Sequence, residues 1–310
     1  MPKIDASDGS LNALTRAVYE NQHQRIAGDD TAFQRIYDIY ENAEFGIPAG
    51  WWSGKKALDA GCGNFGAFML YLIHRGPAMV HGVDLGTSWI EKLSASLAAR
   101  NVDPERFTLT SGSVLDLPFP DASFDFVAVN GVLVHLDSMA EIEKGFAEGA
   151  RVCAPGGYYF TSYGPCGGLM MDAIFPALQA YYRTNADFHR FIDTVTPAIL
   201  HDAIDVVVAE TKKRMGLDLG ADFLKPLFHE DFCVFLQNYI QRPTDFSNEC
   251  TPEVVEDLYQ RNGFTTVVRM NHFVKRGDIR KYFAPLHYHA DHPVSRVLYG
   301  AGFVQYIGQR

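Results

Sequence analysis

The run Leu58-Asp59-Ala60-Gly61-Cys62-Gly63-Asn64-Phe65-Gly66 concentrates the chemistry of this chain. It ends an apolar stretch and opens a helical one, the setting in which a glycine-rich turn becomes a ligand cradle. Gly61 permits a tight turn, and Gly63 lets a ligand reach the backbone. Gly61, Gly63 and Gly66 spell the dinucleotide fingerprint, yet Asp59 opposes a pyrophosphate, because a carboxylate two residues before the first glycine would repel it. A ligand joining a positively charged amine to an adenosine fits better, with Asp59 near the amine. A second acid, Asp84, ends the next apolar run, where ribose hydroxyls are read.

These residues need a scaffold, and the surrounding pattern supplies one. From about Lys55 to Tyr163 short apolar runs alternate with helical patterns, which is the signature of βαβ units feeding a parallel sheet. Strands are expected at Lys56 to Ala60, Met79 to Leu85, Arg106 to Ser111, Phe124 to Asn130 and Gly157 to Ser162. Their apolar runs are mostly continuous, as for strands covered on both faces. A helix carrying Met139, Ile142, Phe146, Ala150 and Cys153 stops before Pro155-Gly156-Gly157.

After Tyr163, Gly164-Pro165-Cys166-Gly167-Gly168 breaks the pattern and a helical stretch follows. Thr196-Pro197 reads as an N-cap with proline at the first helical position, and Gly216 sits where that helix ends. Thr251-Pro252 begins another helix, ending at Asn262-Gly263 before the strand-like Phe264 to Phe273; a last strand spans Gly302 to Ile307.

The segments Leu58-Asp59-Ala60-Gly61-Cys62-Gly63, Gly82-Val83-Asp84-Leu85, Leu117-Pro118-Phe119, Phe124-Asp125-Phe126, Asn130-Gly131-Val132-Leu133 and Ala154-Pro155-Gly156-Gly157 occur in this order. In them the chain resembles the class I S-adenosylmethionine-dependent methyltransferases, over about Lys55 to Tyr163 and, more loosely, over Thr251 to Phe273 and the final strand. The resemblance implies a doubly wound, seven-stranded Rossmann-like α/β sheet, mostly parallel with the last strand antiparallel. It divides the chain into an N-terminal helical cover (1–50), the cofactor-binding α/β domain (51–165 and 251–310) and a helical insert after strand five (166–250) serving as a lid on the substrate side.

It also implies S-adenosyl-L-methionine as cofactor. Asp59, Gly61 and Gly63 bind its methionyl part, with Cys62 in the same loop. Asp84 accepts from the ribose hydroxyls, Leu85 packs on the adenine, Ser113 and Val114 lie at the adenine edge, and the backbone around Asn130 meets the amino group. Ser113 stands where the family usually has an acid, and Phe65 replaces a common small residue. Trp89 either stacks near the adenine or packs within its helix. Tyr40, from a leading helix, caps the ligand or belongs to the core.

Ligands of open α/β sheets bind at the carboxyl ends of the strands, where the strand order reverses. The acceptor is therefore expected among residues after strands four and five, the insert and the N-terminal cover: Tyr37 and Tyr163, with His135 as general base or positioning residue. Tyr19 also lies in the cover. Lys275, Arg276, Arg280, Lys281 and Arg296 make the stretch 275–296 basic, and His287, His289 and His292 lie in it. It reads as an anion site using Arg280, Lys281 or Arg296, as a metal site using His287 and His289 with His292 or Asp291 as a third ligand, or as a solvated loop; Arg280, His287 and His289 are taken as substrate-side candidates and no metal is assigned.

Of the 310 residues, 47% are hydrophobic and 21% charged, the balance of a folded globular chain. A net charge of −10 argues against nucleic acid or an acidic membrane as partner. No apolar run is long enough to span a membrane, and the N-terminus lacks a signal-peptide core, so a cytoplasmic location is expected. Five scattered cysteines indicate neither a disulfide framework nor a thiolate zinc site.

The expected function is methyl transfer to an O, N or S nucleophile of a small molecule, one with an anionic group if the basic stretch takes part. Two rivals are intramolecular cyclisation releasing methylthioadenosine and a non-catalytic cofactor-binding scaffold. A homodimer is left open.

Overall fold

The five leading apolar runs become β1 (Lys56–Ala60), β2 (Met79–Asp84), β3 (Phe107–Ser111), β4 (Phe124–Asn130) and β5 (Cys153–Cys166), joined by β6 (Thr266–Arg269) and β7 (Gly302–Gln309). They form one sheet of order β3-β2-β1-β4-β5-β7-β6, parallel except for β7, which runs antiparallel between β5 and β6. The structure is a computed structural model that describes residues 17–20, 29–41, 45–243, 245–270 and 293–310.

Both faces of the sheet are covered, which explains the unbroken apolar runs. Side chains alternate along a strand, so Phe126 and Ala128 of β4 enter one core with Trp52, Phe68, Tyr71 and Phe160. Val127 and Val129 enter the other, with Phe146, Tyr159 and Tyr259. The first core is roofed by α1 (Asp30–Glu41) and α2 (Ala67–His74); α3 (Thr87–Ala99) follows β2, and α4 (Met139–Val152) covers the opposite face. The Ser138 side chain caps α4 by accepting from Glu141 N, while the Glu141 side chain accepts from Asp137 N, so two backbone donors at that helix start are satisfied.

The Gly164-Pro165 break expected to end β5 does not end it. The strand continues to Cys166, which pairs with Gly302 of β7, and an irregularity between Ser162 and Gly164 absorbs the disruption. Of the stretch expected as strand from Phe264 to Phe273, Thr266–Arg269 is extended, and 271–273 lie outside the described residues.

After β5 the chain builds α5 (Phe175–Thr184), α6 (Ala186–Thr194), α7 (Pro197–Met215) and α8 (Glu230–Gln241). Met171, Phe175, Ile192, Tyr239 and Ile240 form a separate small core there. Thr196 caps α7 through Ile199 N, and Gly216 ends it in the left-handed region at φ 68°, as its sequence predicts. The insert returns to the sheet through Phe246 N donating to Val134 O and Ser247 Oγ to Tyr163 O. Then α9 (Pro252–Arg261), capped by Thr251, precedes β6, and α10 (Pro293–Tyr299) precedes β7. Among the described residues no helix is long and apolar enough to cross a membrane.

Candidate cofactor and methyl-transfer site

The strand order reverses between β1 and β4, and the crevice beyond their carboxyl ends is the place such a sheet offers a ligand. β1 ends at Ala60 and passes directly into the glycine loop. Gly61, Gly63 and Gly66 all have positive φ, of 85°, 61° and 88°. Gly61 has a second constraint: a Cβ placed on it would overlap the Val132 side chain, which follows β4. The backbone is thereby drawn tight against the neighbouring strand and left bare toward the crevice.

β2 holds the loop in place. Gly61 N and Cys62 N donate to Val83 O at 2.7 and 3.1 Å, and Gly63 N donates to Asp84 Oδ2 at 2.8 Å. Asp59 lies below this loop at 2% exposure and Asp84 at 8%. Burial and the neighbouring Asp84 push the Asp59 carboxyl up to about 8. Asn64 adds a buried side-chain oxygen with no hydrogen-bond partner.

Two crowded acids, an orphaned acceptor and bare glycine backbone fit a ligand bearing a cationic centre and N–H donors. Those are the features of the ammonium and sulfonium groups of S-adenosylmethionine.

Around this loop the candidate residues sort differently from their sequence expectation. Leu85, just after β2, is 48% exposed. Ser113 Oγ accepts from Leu115 N at 3.1 Å, which shapes its turn, and the Val114 side chain is buried, leaving backbone at that edge. Trp89 is buried and folded back over Gly86 instead of standing in the crevice.

Cys62 is partly buried, its sulfur tucked against Gly82 of β2. Burial, reinforced by Asp59 and Asp84, pushes its thiol well above its ordinary value, so it is not a nucleophile near neutrality.

The N-terminal cover reaches the end of β4 through two tyrosines. Tyr40 Oη accepts from Asn130 Nδ2 at 3.0 Å, and its ring packs on Phe68 at 4.7 Å. Tyr19, in a helical turn at 17–20, lies 2.6 Å through its hydroxyl from Nε2 of His135, the residue five positions beyond β4. Asn238 Oδ1 of α8 lies 3.5 Å from the same hydroxyl.

Two expected substrate contacts are corrected by the structure. Tyr37 is buried in the core, and its hydroxyl pairs with His74 Nδ1 at 2.8 Å, at the end of α2 remote from the glycine loop. Tyr163 is 1% exposed and packs in the core with Tyr159, Cys250 and Val255. Its place two steps from Thr161 on a strand whose other face bears Ser162 turns it toward α9, not the crevice. Arg280, His287, His289 and His292 lie outside the described residues.

The polar cluster behind Tyr19 carried only a faint sequence signal. Arg242, buried, pairs with Asp245 at 2.8 Å, donates to Asn238 O at 3.0 Å and to Asn238 Oδ1, and stacks on Tyr239 at 4.2 Å. Only the Arg-Pro step that closes α8 hints at it.

Residues 58–161 match a family model described as a methyltransferase domain. A 27-O-demethylrifamycin SV methyltransferase from Amycolatopsis mediterranei is 30% identical over 105 residues, covering 34% of this chain and 37% of that protein. A fatty-acid O-methyltransferase from Mycolicibacterium smegmatis is 26% identical over 226 residues, covering 61% and 79%. A solved S-adenosylmethionine-dependent methyltransferase from Mesorhizobium loti is 23% identical, covering 38% of this chain and 50% of that one, with a TM-score of 0.33.

Three of the curated relatives are matched over only 37%, 41% and 43% of their own length. The matched segment runs from the middle of β1 into β5 and so takes in every element around the switch point; over these residues the chain is similar to S-adenosylmethionine-dependent methyltransferases.

Proposed function

We propose that the protein transfers the methyl group of S-adenosylmethionine to an oxygen, nitrogen or sulfur nucleophile of a small molecule. The observation that carries this reading is the pair Asp59 and Asp84, buried together beneath a glycine loop at the switch point. When bound, S-adenosylmethionine supplies an electrophilic methyl group and a neutral thioether as leaving group.

The chain's own residues then have three tasks. Asp59, on ionising, neutralises the ligand's positive charge, and Asp84 accepts from ribose hydroxyls while still restraining Gly63. Tyr40, held by Asn130, closes the crevice from the side of the cover. His135 is the candidate proton acceptor for nucleophiles that carry a proton, its ring fixed by Tyr19 at Nε2. Alignment of nucleophile, methyl carbon and sulfur supplies the remaining rate enhancement, so no elaborate triad is needed.

A small acceptor is favoured because the net charge of −10 opposes a polyanion. The rifamycin and fatty-acid methyltransferases this chain is similar to, both named for small-molecule substrates, support the same class. Incubation with methyl-tritiated cofactor and a metabolite extract should label a small molecule and release S-adenosylhomocysteine. Label confined to protein or RNA, or release of methylthioadenosine, would refute the proposal.

A further inference from the structure

We infer that Ser162 and Gln305 form the docking point for an uncharged hydroxyl or carboxamide group of the methyl acceptor. The inference rests on the methyl-transfer reading above and concerns which part of the crevice the methyl acceptor takes.

Strand register sets these residues in one row. Ser162 of β5 pairs with Asn130 of β4 on one side and with Gln305 of β7 on the other. Residues directly opposite one another in neighbouring strands share a face of the sheet. That face is the one under α1 and α2: Phe126 and Ala128 of β4, Phe160 of β5 and Ile307 of β7 alternate with the row and enter that core. Asn130 Nδ2 donates to Tyr40 Oη of α1, on the same side. Phe45 packs edge-on against Phe126 and Phe160 at 5.9 and 5.0 Å, and beyond this apolar layer the face turns polar.

Because Asp59 pairs with Ala128, the glycine loop emerges level with Asn130. The row therefore runs along the carboxyl rim from the loop through Asn130 and Ser162 to Gln305. With strands about 4.8 Å apart, Gln305 stands about 10 Å from Asn130, on the side away from the loop. The loop and Asp84 claim the β1 and β2 side for the cofactor, which leaves the β5 and β7 side for the methyl acceptor.

Hydrogen bonding at the end of the row is incomplete within the chain. Gln305 is 8% exposed and Ser162 4%. Gln305 Nε2 donates to Ser162 Oγ at 2.9 Å, while the buried Gln305 Oε1 has no hydrogen-bond partner among the described residues. A buried carbonyl oxygen left unpaired costs stability, and such groups are ordinarily satisfied. The Ser162 hydroxyl, accepting from Gln305, still has its own proton to give. Turning the amide over exchanges these roles without changing their sum: one donor and one acceptor stand side by side. A hydroxyl or a carboxamide, each able to donate and accept, satisfies both. A charged group does not fit, because the row holds no charged side chain to offset its burial.

The first readout is thermal melting of the full chain without ligand. Gln305→Met keeps the volume of the side chain and removes the amide, so it should melt no lower than the wild type. A lower melting temperature gives Gln305 a structural role and overturns the site. Binding of S-adenosylhomocysteine by calorimetry should be unchanged in Gln305→Met and in Ser162→Ala; weakened binding assigns the pair to the cofactor and overturns it too.

The second readout is the tritium assay with serial dilutions of the metabolite extract. Gln305→Met and Ser162→Ala should each need about 10-fold more extract for half-maximal labelling of the wild-type product, with the maximal rate changed less than about 3-fold. Mass spectrometry of that product should show an uncharged hydroxyl or carboxamide besides the methylated atom. Unchanged half-saturation in the variants, or a product with neither group, overturns the site alone. A wild type that labels no small molecule sinks the methyl-transfer reading and the site with it.

Discussion

Gly61 and Val132 are packed so closely that no side chain can be added to the first: a Cβ there would overlap the Val132 methyl groups. One residue ends β1 and the other follows β4, so this contact sets the width of the crevice at the switch point. Gly61→Ala combines the overlap with a φ of 85° that L residues avoid. It should destabilise the fold by about 2–4 kcal/mol in urea denaturation and abolish cofactor binding. Adding Val132→Ala should recover part of the stability, because it relieves the overlap but not the backbone strain.

Asp59 makes the unliganded protein pH-sensitive in a definite direction. Its carboxyl titrates near 8 in the fold, raised by burial and by Asp84, against about 3.9 in the unfolded chain. Between those values the folded state holds the extra proton. This group's contribution is therefore full below about pH 4 and is lost as pH rises through 8. Asp59→Asn should flatten the slope and raise stability at pH 8 by about 2 kcal/mol while weakening cofactor binding. Equal melting temperatures for the two proteins at pH 8 would contradict the assignment.

Cofactor binding should also release protons. A cationic ligand beside Asp59 favours its ionised form, so binding at pH 7 should expel a fraction of a proton. Calorimetry with S-adenosylmethionine in buffers of differing ionisation enthalpy measures it, and the release should vanish in Asp59→Asn.

Tyr259 ties α9 to the sheet at one buried point. Its hydroxyl lies 3.0 Å from both Tyr159 O and Tyr306 O and 2.9 Å from Thr161 Oγ1. Tyr259→Phe should cost about 1–3 kcal/mol, because buried acceptors lose their donor without gaining water. Cofactor affinity should stay unchanged, since the residue lies on the face occupied by α4 and α9.

Arg242 and Asp245 form an ion pair at 6% and 15% side-chain exposure. Removing one partner strands the other, so Arg242→Ala should cost about 3 kcal/mol and loosen the insert, seen as faster amide exchange in α8. The double change Arg242→Ala with Asp245→Ala should cost less than the sum of the two singles.

The glycine-loop end of the sheet is legible in the residues because its signals are local. A glycine loop, an acid after the next strand and capped helix starts such as Thr196-Pro197 and Thr251-Pro252 each declare themselves within a few positions, as φ, charge and hydrogen-bond needs are met by near neighbours. The continuous apolar strands likewise announced a sheet covered on both sides.

The placement of the tyrosines depends on contacts between residues far apart in the chain. Tyr37 and Tyr40 are three apart on one helix, yet one pairs with His74 in the core and the other with Asn130 at the crevice. Tyr163 shares its strand with Ser162, and alternation across the sheet sends it into the core. Tyr19 meets His135 across 116 positions and Asn238 across 219. Spacing along a chain determines which residues share a face, but which face meets the crevice is decided only when strand register and helix packing are settled by burial of the whole core.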